Sequence, residues 1–142
     1  MKAGRPMNAA SAREILIVED DGDTRLSLRL VLEDAGYAVY ETDDGASALE
    51  RLRDSPRGLV VLLDNLMPGL EGAEVLEALD GEGAAERHAY VLVTASPQRV
   101  TGALAERLAR LGAPVLAKPF EVNDLLEMVA GAARRLPAEG NG

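Results

Sequence analysis

The chain has 142 residues, a net charge of −9 and no Cys, which suits one domain with a sizeable core and excludes a disulfide framework or a thiolate metal site. No apolar run approaches the roughly 20 residues of a membrane span, and residues 1–13 carry Lys2, Arg5 and Arg13 without the apolar stretch of a secretory signal, so a cytoplasmic protein is expected. Those residues contribute +3, leaving −12 on the remainder, a balance that repels a phosphate backbone and argues against direct nucleic-acid binding.

Residues 1–12 read as a flexible lead-in, and 13–135 as a single domain without internal repeats. Strand 1 is expected near 14–18, followed by helix 1 from about Asp23 to Ala35, with Leu28, Val31, Leu32 and Ala35 on one face and Gly36 as its stop. Strand 2 is expected near 37–41, helix 2 near 44–53 and strand 3 near 59–63. A loop with Met67-Pro68-Gly69 leads to helix 3, near 72–79, and a charged, Gly-rich loop spans 80–88. Its His88, the one His in the chain, is expected at the surface. Strand 4 near 89–93, helix 4 near 98–111, strand 5 near 114–117 and helix 5 from about Glu121 to Arg135 complete the set. Helix 5 has the firmest pattern, with Val122, Leu125, Leu126 and Val129 at i, i+3, i+4, i+7 and charges that complement its dipole. Residues 136–142 read as a disordered tail.

Strands alternating with helices imply a parallel sheet covered on both faces, with right-handed connections. Strands 1, 3 and 4 lack polar alternation, as strands buried on both sides do, whereas strand 2 is mixed and reads as an edge. The expected architecture is a five-stranded doubly wound (βα)5 domain.

Four apolar runs each stop at a residue suited to phosphoryl or metal chemistry. Ile15–Val18 runs into Glu19-Asp20-Asp21, Leu59–Leu63 into Asp64, Tyr90–Val93 into Thr94, and Val115–Ala117 into Lys118-Pro119. Parallel strands would bring these ends to one edge, where open α/β sheets bind ligands. Three adjacent carboxylates repel one another and invite a hard divalent cation. Read alone, the triplet is more readily a solvated turn, with Asp21 or Asp23 capping helix 1 and Asp23 the favoured cap. Asp64 could be a nucleophile toward a phosphoryl group, a metal ligand or a turn cap. Thr94 offers a hydroxyl and Lys118 a cation to balance charge on transferring oxygens. Among 13 Arg and two Lys, Lys118 is the one Lys outside the first 13 residues. Phosphoryl transfer needs mainly positioning and charge neutralisation, and this constellation supplies both. No Gly-rich phosphate loop follows strand 1, which argues against a nucleotide-binding domain.

Residues 15–21, 62–69, 93–95 and 117–120, in this order, resemble the receiver domain of bacterial two-component response regulators. The resemblance covers about residues 13–135 and implies a flavodoxin-like fold with strand order 2-1-3-4-5. It further implies that Asp64 is the phosphoacceptor, and that Glu19, Asp20, Asp64 and the backbone carbonyl of Leu66 hold Mg2+, with Asp20 the more direct of the acidic pair. Thr94 and Lys118 would contact phosphoryl oxygens, and Lys118-Pro119 would carry a cis peptide. The donor would be a sensor histidine kinase or a histidine phosphotransfer protein. The output would be partner binding through the helix 4–strand 5–helix 5 face, or phosphorelay, by a stand-alone receiver; a homodimer is also open to such a domain. No enzyme activity beyond the domain's own phosphorylation and slow dephosphorylation is implied.

Two departures stand out. Family members usually carry Phe or Tyr where this chain has Val115, three residues before Lys118. The stretch from Thr94 to Gly112 is about three residues longer than usual, which suggests a longer or reoriented helix 4. The alternative reading is a receiver-like interaction module that is not phosphorylated. An Asp-nucleophile phosphatase is disfavoured, because the second acid it needs two residues on is here Leu66. Leu66 and Ser96 flank the expected path of hydrolytic water, and Leu66 has no polar group to orient it.

Overall fold

Short runs of β-branched and aliphatic residues separated by amphipathic, capped segments fold into five β/α units. The computed structural model describes residues 13–65 and 69–137. Strands β1 (Glu14–Val18), β2 (Ala38–Thr42), β3 (Val60–Asp64), β4 (Ala89–Thr94) and β5 (Val115–Ala117) alternate with helices α1 (Gly22–Asp34), α2 (Gly45–Asp54), α3 (Gly72–Gly81), α4 (Gly102–Leu111) and α5 (Val122–Arg135). All strand pairs are parallel, in the order β2-β1-β3-β4-β5. The expected doubly wound, flavodoxin-like fold is the fold observed.

The period-2 alternation of each central strand splits the core in two. Leu16, Val18, Val61, Leu63, Tyr90 and Leu92 face α2, α3 and α4, where Leu52, Leu76, Leu79 and Leu108 meet them. Ile15, Ile17, Val60, Leu62, Val91 and Val93 face α1 and α5, meeting Leu28, Leu32, Leu125 and Val129. Burial on both faces is why β1, β3 and β4 read as unbroken apolar runs. β2 lies at the sheet edge and is partly exposed, as its mixed sequence suggests.

Four expectations are corrected. The N-cap of α1 is Asp21, not Asp23: its Oδ2 accepts from the Thr24 backbone N–H at 2.9 Å and from the Thr24 hydroxyl at 2.6 Å. Asp23 sits inside the first turn, where its charge suits the helix dipole. Helix 4 is not lengthened: a 3-10 turn covers Pro97–Arg99, and α4 starts only at Gly102, whose φ of +57° redirects the chain.

His88 is not a surface residue but is 5% exposed. The Leu59 N–H donates to its Nδ1 at 3.0 Å, and its Nε2 lies 3.0 Å from the Leu52 carbonyl oxygen. One ring nitrogen must therefore be bare and the other protonated, which defines a neutral imidazole with its proton on Nε2. The ring ties the last turn of α2 to the start of β3. Finally, Leu136, placed at the head of the expected tail, is buried against the α1/α5 side of the sheet. The lead-in 1–12 and the segment 138–142 lie outside the described residues.

Candidate functional site

Register brings the strand-end residues together. Asp64 pairs with Val93 across β3 and β4, and Thr94 with Ala117 across β4 and β5. The ladders continue just beyond the strands: the Glu19 N–H donates to the Thr42 carbonyl at 3.1 Å, and the Lys118 N–H to the Thr94 carbonyl at 2.8 Å. Glu19, Asp64, Thr94 and Lys118 thus leave the sheet along one edge, although 99 residues separate the first from the last. The Lys118–Pro119 peptide is cis.

Glu19 is 2% exposed, Asp64 6% and Thr94 fully buried, while Asp20 is exposed. One carboxylate oxygen from each of Glu19, Asp20 and Asp64 lies within 4.8 Å of the others. Lys118 Nζ donates to Glu19 Oε1 at 2.9 Å and stands 3.7 Å from Asp64 Oδ2. The other Glu19 oxygen, Oε2, accepts from the Asp21 N–H at 3.1 Å. Thr94 Oγ1 accepts from the Ser96 N–H at 2.9 Å. Burial pulls the Lys118 ammonium toward a lower pKa, but the Glu19 hydrogen bond and the Asp64 charge outweigh it and hold the group above its ordinary value. Hydrogen bonds from the Thr24 hydroxyl and N–H hold Asp21 below the usual carboxylate range. Asp21 is therefore occupied as a cap.

The donor set fits a small hard cation. It consists of carboxylate oxygens, with no thiol or imidazole, and one contributor is open to solvent. Leu66, expected to add a backbone carbonyl, falls outside the described residues.

Three further residues shape the site, and only one of them carries a hint in the sequence. Arg25, one turn into α1, donates to the Glu19 carbonyl at 2.8 Å and pairs with Glu41 at 3.0 Å, bracing the turn after β1. Gly72 opens α3 so close to β3 that a Cβ there would stand 2.6 Å from the Asp64 carbonyl oxygen. Asn65 is buried, and its Oδ1 has no hydrogen-bond partner among the described residues. The position of Asn65 directly after Asp64 is its one legible hint.

The match to known proteins agrees with this geometry. The family model of the response regulator receiver domain matches residues 15–130. The chain belongs to this family. This receiver domain is similar to the response regulator receiver protein CpdR of Brucella abortus, 37% identical over 122 residues, covering 82% of this chain and 93% of that protein. It is also similar to the response regulator MprA of Mycobacterium leprae, 39% identical over 125 residues, covering 85% of this chain but 51% of that protein. The receiver domain therefore spans nearly all of one relative and about half of the other. Its fold superposes on the CheY-like receiver domain structure from Methanospirillum hungatei JF-1 with a TM-score of 0.72 and 29% identity, covering 86% of this chain and 95% of that one. Receiver domains are signalling domains of two-component systems, work with histidine kinases or phosphotransfer proteins, and bind Mg2+ at an acidic site. Among the described residues, no helix is long and apolar enough to cross a membrane.

Proposed function

We propose that this domain, residues 13–135, accepts a phosphoryl group on Asp64 from a phosphohistidine donor and transmits the change to a partner. The observation that carries the reading is the setting of Asp64: a nearly buried carboxylate beside two further carboxylates and 3.7 Å from the Lys118 ammonium. A carboxylate so placed is desolvated and oriented for attack at phosphorus. An Asp64 oxygen forms the new P–O bond as the P–N bond to the donor imidazole breaks. The electron pair leaves with that nitrogen, which takes up a proton from solvent.

Lys118 is assigned to a phosphoryl oxygen, which it reaches by leaving Glu19. Thr94 is assigned to another, which its hydroxyl can engage as donor. Glu19, Asp20, Asp64 and the Leu66 carbonyl are the residues that would hold Mg2+, which when bound neutralises charge on the phosphoryl oxygens. Both Glu19 oxygens already accept hydrogen bonds, from Lys118 and from the Asp21 N–H, which favours Asp20 and Asp64 as direct ligands. The donor is assigned as a sensor histidine kinase or histidine phosphotransfer protein, and the output surface as α4, β5 and α5.

Intact mass after incubation with Mg2+ and acetyl phosphate tests the reading. One added phosphoryl group, absent from Asp64→Asn and from metal-free protein, is expected. No addition in folded, Mg2+-supplied protein, from acetyl phosphate or from a phosphohistidine donor, would leave the unphosphorylated interaction module as the better account.

A further inference from the structure

The turn after β1 crowds three adjacent carboxylates, Glu19, Asp20 and Asp21, which repel one another. One residue holds the backbone of this turn. Arg25 Nη1 donates to the Glu19 carbonyl oxygen at 2.8 Å and lies 3.5 Å from the Asp20 carbonyl oxygen. The Arg25 backbone N–H donates to the Asp21 carbonyl at 2.9 Å. Arg25 thus engages three consecutive carbonyls, one from each acidic residue. Its guanidinium is itself fixed: Nε donates to Glu41 Oε1 at 3.0 Å, and the other Glu41 oxygen pairs with Arg29. Glu41 stands opposite Ile17 in the β1–β2 register, and Ile17 belongs to the core against α1 and α5, so strand alternation brings Glu41 to the α1 side. Both members of the Arg25–Glu41 pair are partly buried, which shields it from solvent. The carbonyls of the turn are therefore tied to α1, while carboxylate oxygens of Glu19 and Asp20 converge within 4.8 Å of one from Asp64.

We propose that Arg25 is a positioning residue for the metal site. By holding the carbonyls of the turn, it keeps the Glu19 and Asp20 carboxylates gathered toward Asp64 before the cation arrives, and Glu41 holds Arg25 in place. The proposal rests on the assignment of Mg2+ to Glu19, Asp20 and Asp64, and adds to it the residue that sets how tightly the ion is held. A turn free to rotate would separate its carboxylates to relieve their repulsion, and regathering them would oppose ion binding. Charge and position act here with opposite signs. A positive charge beside a cation site repels the cation, so charge alone predicts that removing Arg25 strengthens Mg2+ binding. Positioning predicts that removing it weakens binding.

The test is a Mg2+ titration followed by backbone amide resonances, with thermal denaturation read in parallel. Arg25→Gln is expected to weaken Mg2+ binding about tenfold, the scale on which partners of metal ligands act. Arg25→Lys keeps the charge but lacks the planar fork that spans the carbonyls and Glu41 together, and is expected to weaken binding by a smaller factor. A variant that loses stability but binds Mg2+ as tightly as the wild type would make Arg25 a structural brace only, and overturns the proposal. Tighter binding by Arg25→Gln overturns it as well. Should the glutamine variant not fold, Arg25→Lys decides alone, an unchanged affinity being the adverse result. Wild-type protein that binds no Mg2+ removes the metal assignment and this inference with it, whereas a bound ion indifferent to Arg25 removes this inference alone.

Discussion

Lys118 Nζ lies 2.9 Å from Glu19 Oε1, so the one Lys near the strand ends is held by a nearly buried carboxylate rather than by solvent. The pair joins the end of β1 to the end of β5 across the site. Removing the ammonium leaves Glu19 buried without its charge partner. Lys118→Ala is therefore expected to lower stability by about 1–3 kcal/mol. Mg2+ can substitute for the lost positive charge, so it should raise the melting temperature of the variant more than that of the wild type. Equal shifts in thermal denaturation would contradict the shared-charge account.

Gly72 couples α3 to the phosphoacceptor strand. A methyl group there would meet the Asp64 carbonyl oxygen at 2.6 Å and the Asn65 Cα at 3.1 Å. Both neighbours are backbone and cannot swing aside. Gly72→Ala should cost about 1–3 kcal/mol by overpacking. It should also slow phosphorylation by acetyl phosphate about tenfold or more, because small displacements of a reacting group are expensive. A variant that loses stability but is phosphorylated at the wild-type rate would separate Gly72 from the site.

His88 makes the fold sensitive to acid. Burial lowers its pKa, only partly offset by the hydrogen bond to the Leu52 carbonyl, and the neighbouring Arg87 lowers it further. Tyr90 packs edge-on against the ring at 6.5 Å and adds no charge. The folded state keeps the imidazole neutral while the unfolded chain protonates it near pH 6.5. Below that pH the unfolded state binds more protons, so stability is full above about 6.5 and falls as pH drops toward the folded-state value. The slope from this group approaches about 1.4 kcal/mol per pH unit. Urea denaturation between pH 7 and 5 checks it: His88→Gln should flatten that part of the profile, and an unchanged slope would assign the loss to other groups.

The α4 surface is braced. Asp80 of α3 bonds Arg107 at 2.9 Å and also pairs with Arg110 of α4, which reaches Glu86 at 3.2 Å. Val115, half-buried, packs on the same side of the sheet. If α4 and β5 carry the output, backbone resonances over residues 95–117 should move when Mg2+ and acetyl phosphate are added. The larger movements are expected at the 3-10 turn Pro97–Arg99 than at the ion-paired Arg107 and Arg110. Unchanged signals throughout this stretch would exclude it as the responsive surface.

Self-dephosphorylation should be slow. Leu66 offers no side-chain donor or acceptor to orient water, and the buried Asp64 is poorly accessible. The phosphorylated protein in Mg2+ should persist for minutes or longer by intact mass. A half-life of seconds would refute this.

Much of the fold was legible because each core element repeats a short-range rule. Buried parallel strands read as Ile15–Val18 and Tyr90–Val93, and α5 as a strict apolar stripe. The strand-end residues were legible because apolar runs stopping at Glu19, Asp64, Thr94 and Lys118 imply one sheet edge. Local signals failed where two rules compete over a few residues. Asp21 and Asp23 are both acceptable caps, and only Asp21 has its carboxylate against the Thr24 N–H. The stretch after Thr94 had helical periodicity from residue 98, but the turn at Gly102 delayed the helix.

The ends of the strands, the apolar faces of α1 and α5 and the chemical character of the site are therefore properties of the amino-acid pattern, since each depends on residues a few positions apart. Tertiary structure alone decided the rest. It buried His88 between the Leu52 carbonyl and the Leu59 N–H, engaged Lys118 with Glu19 and pressed Gly72 against Asp64. Each of these contacts joins groups distant in sequence or set by close backbone approach. No local periodicity encodes such meetings, because burial and pairing energies arise only when the chain has closed on itself.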